Sequence, residues 1–516
     1  MAKPGEKLAD SLEILHDLQG EQKNVAIKTT EISRTHRERL TKNGFFKEVL
    51  KGWYIVSNPY ENPGDSTSWY ASYWQFCSLY LNEKYGKEYS ISPDQSLLVH
   101  SGNTTVPKQL IIMALQGPNK VIPLINGTSL LEMKSPLNYK EKIVELNGIR
   151  ILPLPLALIH CSPSMFERNA IDVRSAMSLI NDASEILEPL LEGSHTVIAG
   201  RLAGAFRNIG QDRIADTIIK TMKKADYNVR EVDPFTSTSD VVLTFRNRSP
   251  YVNRIKLMWE EWRPIVIRLF PEAPGLPADK EKYLQEVDEI YVTDAYHSLS
   301  IERYMVSVEL IEKVRAGDWD IQGSEEDRNQ RNAMAARGYW LATQEVKKSL
   351  NRILQSQNAG KIADNDHVDW YQELFAPSIT AGILNISDLA GYRTNQVYIS
   401  NSLHTPLNRE AVRDAMPALF ELLTNEENAG VRSVLGHFIF VYIHPYMDGN
   451  GRMARFLMNI MLASGGYPWT VIPVEQRTAY MSALESASVG RNIEPFAQFI
   501  SRLVTESLNG KPVAKI

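Results

Sequence analysis

The 516-residue chain has only two cysteines, Cys77 and Cys161. Two thiols cannot build a disulfide framework or a four-cysteine zinc centre, so a reducing compartment is the simpler expectation. Long apolar runs are lacking as well. The longest central stretch is Phe438 to Ile443, against the roughly 18 apolar residues that a membrane span needs. The opening MAKPGEKLADSLEILHDLQG has no apolar run followed by a small-residue cleavage site. No membrane association and no targeting segment are therefore expected, and a cytoplasmic location is. Excess charge is missing: 56 Lys and Arg against 61 Asp and Glu leave a net −5. That excludes a histone-like protein while leaving room for a local basic patch. There is no repeat and no low-complexity tract. What remains is ordinary globular composition, 43% hydrophobic and 23% charged, long enough at about 150 residues per domain for two to four domains.

The first basic concentration lies in SRTHRERLTKNGFFKEVLKGWYIV, residues 33–56. Ser33 can cap a helix carrying Arg34, Arg37 and Arg39, and Gly44 stands where that helix should stop. Two strand-like runs follow, FFKEVL and GWYIV, joined through Lys51-Gly52. Helix, stop and hairpin in this order predict a winged helix-turn-helix-like segment over residues 1–60. From Lys28 to Lys51 there are seven Lys or Arg and three Glu, a balance suited to DNA phosphates. A solvated amphipathic helix beside a hairpin accounts for the charge equally simply.

Residues 61–245 alternate helical and strand-like stretches and predict an α+β domain. SWYASYWQFCSLYLNEKYG (68–86) reads as an aromatic-rich helix whose rings form core. LLVHSG, KQLIIMAL, KVIPLI and IRILPL read as short strands. HTVIAGRLAGAFRNIGQDRIADTIIKTMKKADY (195–227) reads as two helices punctuated by Gly210. The patterns RERLTKNGFFKEVLKGWYIV and AGRLAGAFRNIGQDRIADTIIKTMKKADYNV resemble the AbiEi-type antitoxin and transcription-regulator family, which implies a regulator-like role for this half.

From about residue 246 to 516 the pattern is almost all helical, with runs near 281–315, 329–357, 409–424, 427–443, 451–464 and 475–506. The chemistry is concentrated in HPYMDGNGRMAR, residues 444–455. The preceding VRSVLGHFIFVYI is apolar nearly all round, as a buried helix is. Pro445 cannot continue it, and the residue before a proline avoids the helical region, so His444 stands at the helix end. DGNG then turns the chain into a second helix. Gly449 and Gly451 let backbone N–H groups approach a ligand, and a helix N-terminus favours an anion. Arg452 and Arg455 project from the same first turn, Asn450 offers an amide, and Asp448 supplies a hard oxygen for Mg²⁺ beside phosphates. His444 has a pKa suited to general base work. Phosphate cradle, metal ligand and base together point to phosphoryl or nucleotidyl transfer. The GNGRMA stretch also fits a loose dinucleotide loop, but it follows a helix where that loop needs a strand. His437 with His444 lacks the further ligands that zinc requires.

HPYMDGNGRMAR resembles the Fic family pattern HPFx(D/E)GNGRxxR, with Tyr446 at the usual Phe position. The resemblance implies an all-helical Fic domain with a β-hairpin flap over 246–516, so that the whole chain is mostly α with a smaller α+β region in front. It further implies that His444 deprotonates a hydroxyl of a target protein. Asp448 would hold Mg²⁺ on the phosphates of ATP, and Gly449, Asn450 and Gly451 would cradle those phosphates. Arg452 would face the β-phosphate and Arg455 the γ-phosphate. GYRTNQVYIS (391–400) is similar to the family's flap, in which Gln396, Val397, Tyr398 and Ile399 would position the target. The product implied is AMP on a Ser, Thr or Tyr hydroxyl.

A second segment, YHSLSIERYMVSVELIEKV (296–314), places Ser298 and Glu302 on one helical face. It is similar to the family's inhibitory pattern (S/T)xxxE(G/N), with Arg303 in place of the final Gly or Asn. An inhibitory helix near 296–310 is implied, with Glu302 paired to Arg455. The expected function is thus a self-inhibited protein adenylyltransferase that uses ATP and Mg²⁺, with a homodimer compatible with the family. Two other readings stand beside it. One is a DNA-binding regulator whose Fic region senses nucleotide, with DNA held by residues 33–56; the other is an enzyme that removes AMP from targets.

Overall fold

The computed structural model describes residues 4–20, 25–61, 66–137, 139–146, 148–236, 249–317, 327–389 and 391–516. Two compact units form. The first is Met1–Pro250 with Tyr398–Thr405, and the second is Tyr251–Val397 with Pro406–Ile516.

In the first unit, Ser33 accepts from the His36 N–H and starts the Arg34–Lys42 helix. The chain turns at Gly44, with φ +78°, into strands β2 (Phe46–Leu50) and β3 (Trp53–Val56). With β1 (Ala26–Lys28) they make an antiparallel sheet of order β1-β3-β2. The hairpin turns at Gly52, whose φ is +90°. Strand β1 stands between the Pro4–Gln19 and Arg34–Lys42 helices. Much of the basic patch is spent internally. Arg34 pairs with Glu38 at 2.6 Å, Lys28 pairs with Glu83 and Lys47 with Glu61. Arg39 donates to Ser11 Oγ at 2.7 Å.

The aromatic Thr67–Tyr85 helix buries Trp69, Tyr73 and Phe76 against Trp53 of β3, so its rings are core as expected. A second sheet has order β4-β5-β7-β6: Tyr89–Ile91, Gln109–Ala114, Ser129–Lys134 and Lys120–Pro123, with β5 and β7 parallel. Strands β8 (Val144–Leu146) and β9 (Ile149–Ile151) pair separately. LLVHSG is not a strand. It ends the Pro93–His100 helix, which Ser92 caps and Pro93 opens. A proline at the first helical position fits the helix N-terminus, and that signal overrides a short apolar run.

The second unit is helical throughout its described secondary structure. Its inner layer is the Ala429–Ile443 helix packed on Asn450–Ala463, with Leu435, Phe438, Ile439, Phe456 and Ile460 at 0–1% exposure. Asp327–Leu354 packs along Ala359–Thr380, a helix that the periodicity did not reveal. Segment 296–310 is not one helix. Lys280–Ile301 ends there, and Val308–Ala316 begins after a break. The family-like hairpin at 391–400 is likewise not formed: these residues carry no strand. No described helix is long and apolar enough to cross a membrane.

Candidate active site

The Ala429–Ile443 helix ends at His444, which takes left-handed angles, φ 55° and ψ 62°. Pro445 disfavours the right-handed region for the residue before it, so the helix cannot run on, but it does not by itself select left-handed over extended angles. A non-glycine residue at left-handed angles costs about 1 kcal/mol, so the turn must be held from outside. The His444 N–H still donates to Phe440 O at 2.9 Å. The Arg393 guanidinium donates to His444 O at 2.8 Å, and the Arg393 N–H to Pro445 O at 2.9 Å. His444 Nδ1 lies 3.3 Å from Val441 O. A carbonyl only accepts, so this contact puts the ring proton on Nδ1 and leaves the Nε2 lone pair available. Burial, seconded by the charge of Arg393, pushes the imidazole down to about 4 against the pull of the Val441 carbonyl, Glu302 and Asp448. At neutral pH it is an unprotonated base.

The next residues build a rigid bend. The Tyr446 ring stacks on Tyr371 at 3.8 Å and 7°. The Asn450 side chain both accepts from the Tyr446 N–H (2.9 Å) and donates to Tyr446 O (2.8 Å). Its amide is therefore occupied as a brace, and only its backbone N–H can face a ligand. Asp448 Oδ1 accepts from the Gly449 N–H at 2.6 Å, while the rest of its carboxylate is exposed. Gly449, with φ +79°, leads into the Asn450–Ala463 helix. No side chain caps that helix, so its first N–H groups form a positive end that attracts an anion. A Cβ on Gly451 would lie 2.1 Å from Glu302 Oε1. Glycine is required there because a carboxylate sits directly against the helix end.

That carboxylate also meets Arg455. Glu302 Oε1 accepts from Arg455 Nη2 at 2.8 Å, Ser298 Oγ accepts from Nε at 2.8 Å, and Ser298 O accepts from Nη2 at 2.9 Å. Arg455 is 3% exposed, so the charge-assisted pair is poorly screened. Asp294, one turn earlier on the same helix as Ser298, is buried beside Tyr339, whose hydroxyl donates to it at 2.8 Å. Burial pushes the Asp294 carboxyl up to about 6, against the Tyr339 hydrogen bond and the charge of Arg455. Arg452, 1% exposed, lies between the rings of Tyr304 and Phe375, each 5.0 Å from its Cζ. The Tyr304 hydroxyl reaches Arg452 Nη2 at 3.4 Å and Asp448 Oδ2 at 3.5 Å.

His444, Asp448, the glycines, both arginines, Ser298 and Glu302 thus converge on one bend. The four flap residues do not act as one strand. Gln396 and Val397 belong to the second unit and Tyr398 and Ile399 to the first. Residues 398–405 attach there through Val106 N–H to Leu403 O at 2.9 Å and Ser66 N–H to Asn401 Oδ1 at 3.2 Å. Sequence reasoning missed Tyr304 and Arg393. The sole hint was their place inside the two singled-out segments, as a ring just after Glu302 and a cation amid GYRTNQ.

Residues 362–462 match the Fic/DOC family, so the chain carries a Fic domain. Protein adenylyltransferase fic-1 of Caenorhabditis elegans is 27% identical over 221 residues, 42% of this chain and 40% of that protein. Protein adenylyltransferase Fic of Nematostella vectensis is 24% identical over 267 residues, 51% of this chain and 58% of that protein. The chain therefore spans 40% and 58% of the length of these two curated relatives. A solved structure of Fic-1 from C. elegans aligns at 19% identity with a TM-score of 0.36, over 66% of this chain and 96% of that one.

Proposed function

We propose that this chain transfers AMP from ATP to a hydroxyl of a target protein and is held in check by Glu302. The observation that carries the reading is the shared bend: an unprotonated imidazole at one helix end faces an anion-seeking helix start at the other. The triphosphate would lie against the N–H groups of Asn450, Gly451 and Arg452, with Arg455 at its far end. His444 Nε2 takes the proton of the incoming hydroxyl. The hydroxyl oxygen bonds to the α-phosphorus, the bond from that phosphorus to the bridging oxygen breaks, and pyrophosphate leaves.

The donor chemistry suits Mg²⁺. Asp448 presents an exposed hard oxygen at the mouth of the bend, and Mg²⁺ favours one or two carboxylates plus phosphate oxygens. Bound there, the ion would neutralise phosphate charge.

Glu302 sits against Gly451 and holds Arg455, the place and the partner that a terminal phosphate would need. The brake is therefore competition between a carboxylate of this chain and a phosphate of the substrate. The test uses ATP labelled at the α-phosphate with wild type and Glu302→Gly. Self-labelling should rise about tenfold or more on Glu302→Gly, since a charge-assisted contact is worth about 1.5–3 kcal/mol. Retained ATP binding without any labelling in Glu302→Gly would overturn the transferase reading. Equal labelling in both would overturn the brake.

A further inference from the structure

We infer that Arg393 is a positioning residue that fastens the base-bearing turn at His444 to both ends of the loop between Asn395 and Leu407. The guanidinium reaches three stretches of chain at once. Nε donates to His444 O at 2.8 Å, Nη1 donates to Asn395 O at 3.0 Å, and Nη2 donates to Leu407 O. The backbone N–H of the same residue donates to Pro445 O at 2.9 Å. Beside this clamp, Gln396 Nε2 donates to Pro406 O at 2.7 Å, so the neck of the loop is drawn together. Arg393 is only 2% exposed.

Burying a guanidinium is unfavourable unless its donors are satisfied. Here they meet carbonyls of irregular backbone, which need partners in turn. The planar fork suits this task because its N–H groups point outward in fixed directions. An ammonium has the same charge and cannot span those directions. The consequence is geometric. His444 occupies a strained conformation that relaxes if its carbonyl is released, and relaxation would swing the imidazole. Gln396 and Val397, at the start of this loop and in the same unit as His444, are residues to which the resemblance gives a target-positioning role. One side chain therefore sets the separation between the base and the incoming hydroxyl, a separation on which group transfer depends steeply.

This inference rests on the transferase reading, and its test separates the two. In the Glu302→Gly background, Arg393→Ala should lower the self-labelling rate about 20-fold or more. The dissociation constant of a fluorescent ATP analogue should stay within about threefold, because the helix N-terminus and Arg455 are untouched. Arg393→Lys should stay about fivefold or more impaired. Amide hydrogen exchange should quicken about fivefold in peptides covering 394–408 and 441–448 together. Exchange that changes in one peptide or in neither would overturn the inference, as would full activity of Arg393→Lys. If Arg393→Ala fails to bind the analogue, the lysine variant decides. No labelling in the Glu302→Gly parent would sink the transferase reading, while the paired exchange result would still judge the clamp.

Discussion

Two helices of the second unit end in the same unusual way and put the ending to different use. Lys280–Ile301 closes through Glu302 and then Arg303, whose φ is +66°. The Arg303 N–H donates to Ser300 O and the Tyr304 N–H to Leu299 O, the paired bonds of a left-handed helix stop that glycine usually fills. Ala429–Ile443 closes at His444, with φ +55° and a proline behind it. At the second end the strained residue is itself the proposed base. At the first, the strained residue follows Glu302 and throws the chain away after it. Under the proposed function, strain at His444 bears on the base itself, whereas strain at Arg303 lies one residue beyond the proposed brake.

The largest effect expected is at the histidine end. His444→Ala should lower AMP transfer about 100-fold or more in the Glu302→Gly background, the usual worth of a general base, with ATP-analogue affinity unchanged. Unreduced labelling would break the assignment and with it the contrast between the two ends. The pH profile sharpens the same point. The imidazole is held down to about 4, so its active, neutral form persists well below the ordinary histidine range. Transfer should stay level from pH 8 to about 5.5 and fall only as pH approaches 4, instead of falling through about 6.5 as an unperturbed histidine would. A fall centred near 6 that Asp294→Asn removes would instead report the Asp294 carboxyl beside Arg455, which is held up to about 6.

A smaller effect is expected just beyond Arg303. Tyr304 lies over Arg452 and is itself faced by Arg331, with Cζ 5.6 Å from the ring. It also reaches Asp448, so the segment that delivers Glu302 covers a second part of the same bend. Stacking of this kind is worth about 0.5–1 kcal/mol at exposed sites and more where the cation is buried, as Arg452 is, and the released state of Tyr304 recovers part of it in water. Tyr304→Ala in the otherwise native chain should raise residual labelling about two- to fivefold. Tyr304→Phe, which keeps the ring and loses only the long hydroxyl contacts, should change it less. If the phenylalanine variant matched the alanine one, the hydroxyl and not the stack would be the active contact.

Much of this bend could be read from the sequence because its rules are local. Pro445 dictates where the buried helix stops, Gly449 marks a left-handed turn, and the spacing of Arg452 and Arg455 follows from one helix. In the first unit, Ser33, Gly44 and Gly52 mark a cap, a stop and a hairpin for the same reason. What escaped depends on packing. The Ala359–Thr380 helix lies against Asp327–Leu354, Arg409–Asn425 and Asn450–Ala463, so its buried residues follow no single stripe. LLVHSG was too short a run to separate strand from helix, and the decisive signal sat upstream at Ser92-Pro93. The pairing of Lys28, Arg34 and Lys47 with acids, two of them distant in sequence, is invisible to a count of local charge. Arg393 carries little local signal, since only Asn395 among its guanidinium's partners is near in sequence and the others lie 14 and 51 residues away.

The smallest effect tests the comparison most directly. Arg303 stands where the resemblance has Gly or Asn, the residues that accept left-handed angles. Its neighbour Arg477 donates to Ile301 O at 2.8 Å, and the Arg303 charge weighs against Arg477. Arg303→Gly removes about 1 kcal/mol of backbone strain together with that repulsion, and gives back about half of it through the freer backbone of the segment once Glu302 is released. A net gain near 0.5 kcal/mol in the delivered state of Glu302 should lower residual self-labelling about twofold and weaken ATP-analogue binding by a similar factor. A rise in labelling would mean that Arg303 itself helps to seat Glu302, and the first helix end would then depend on its strained residue just as the second does.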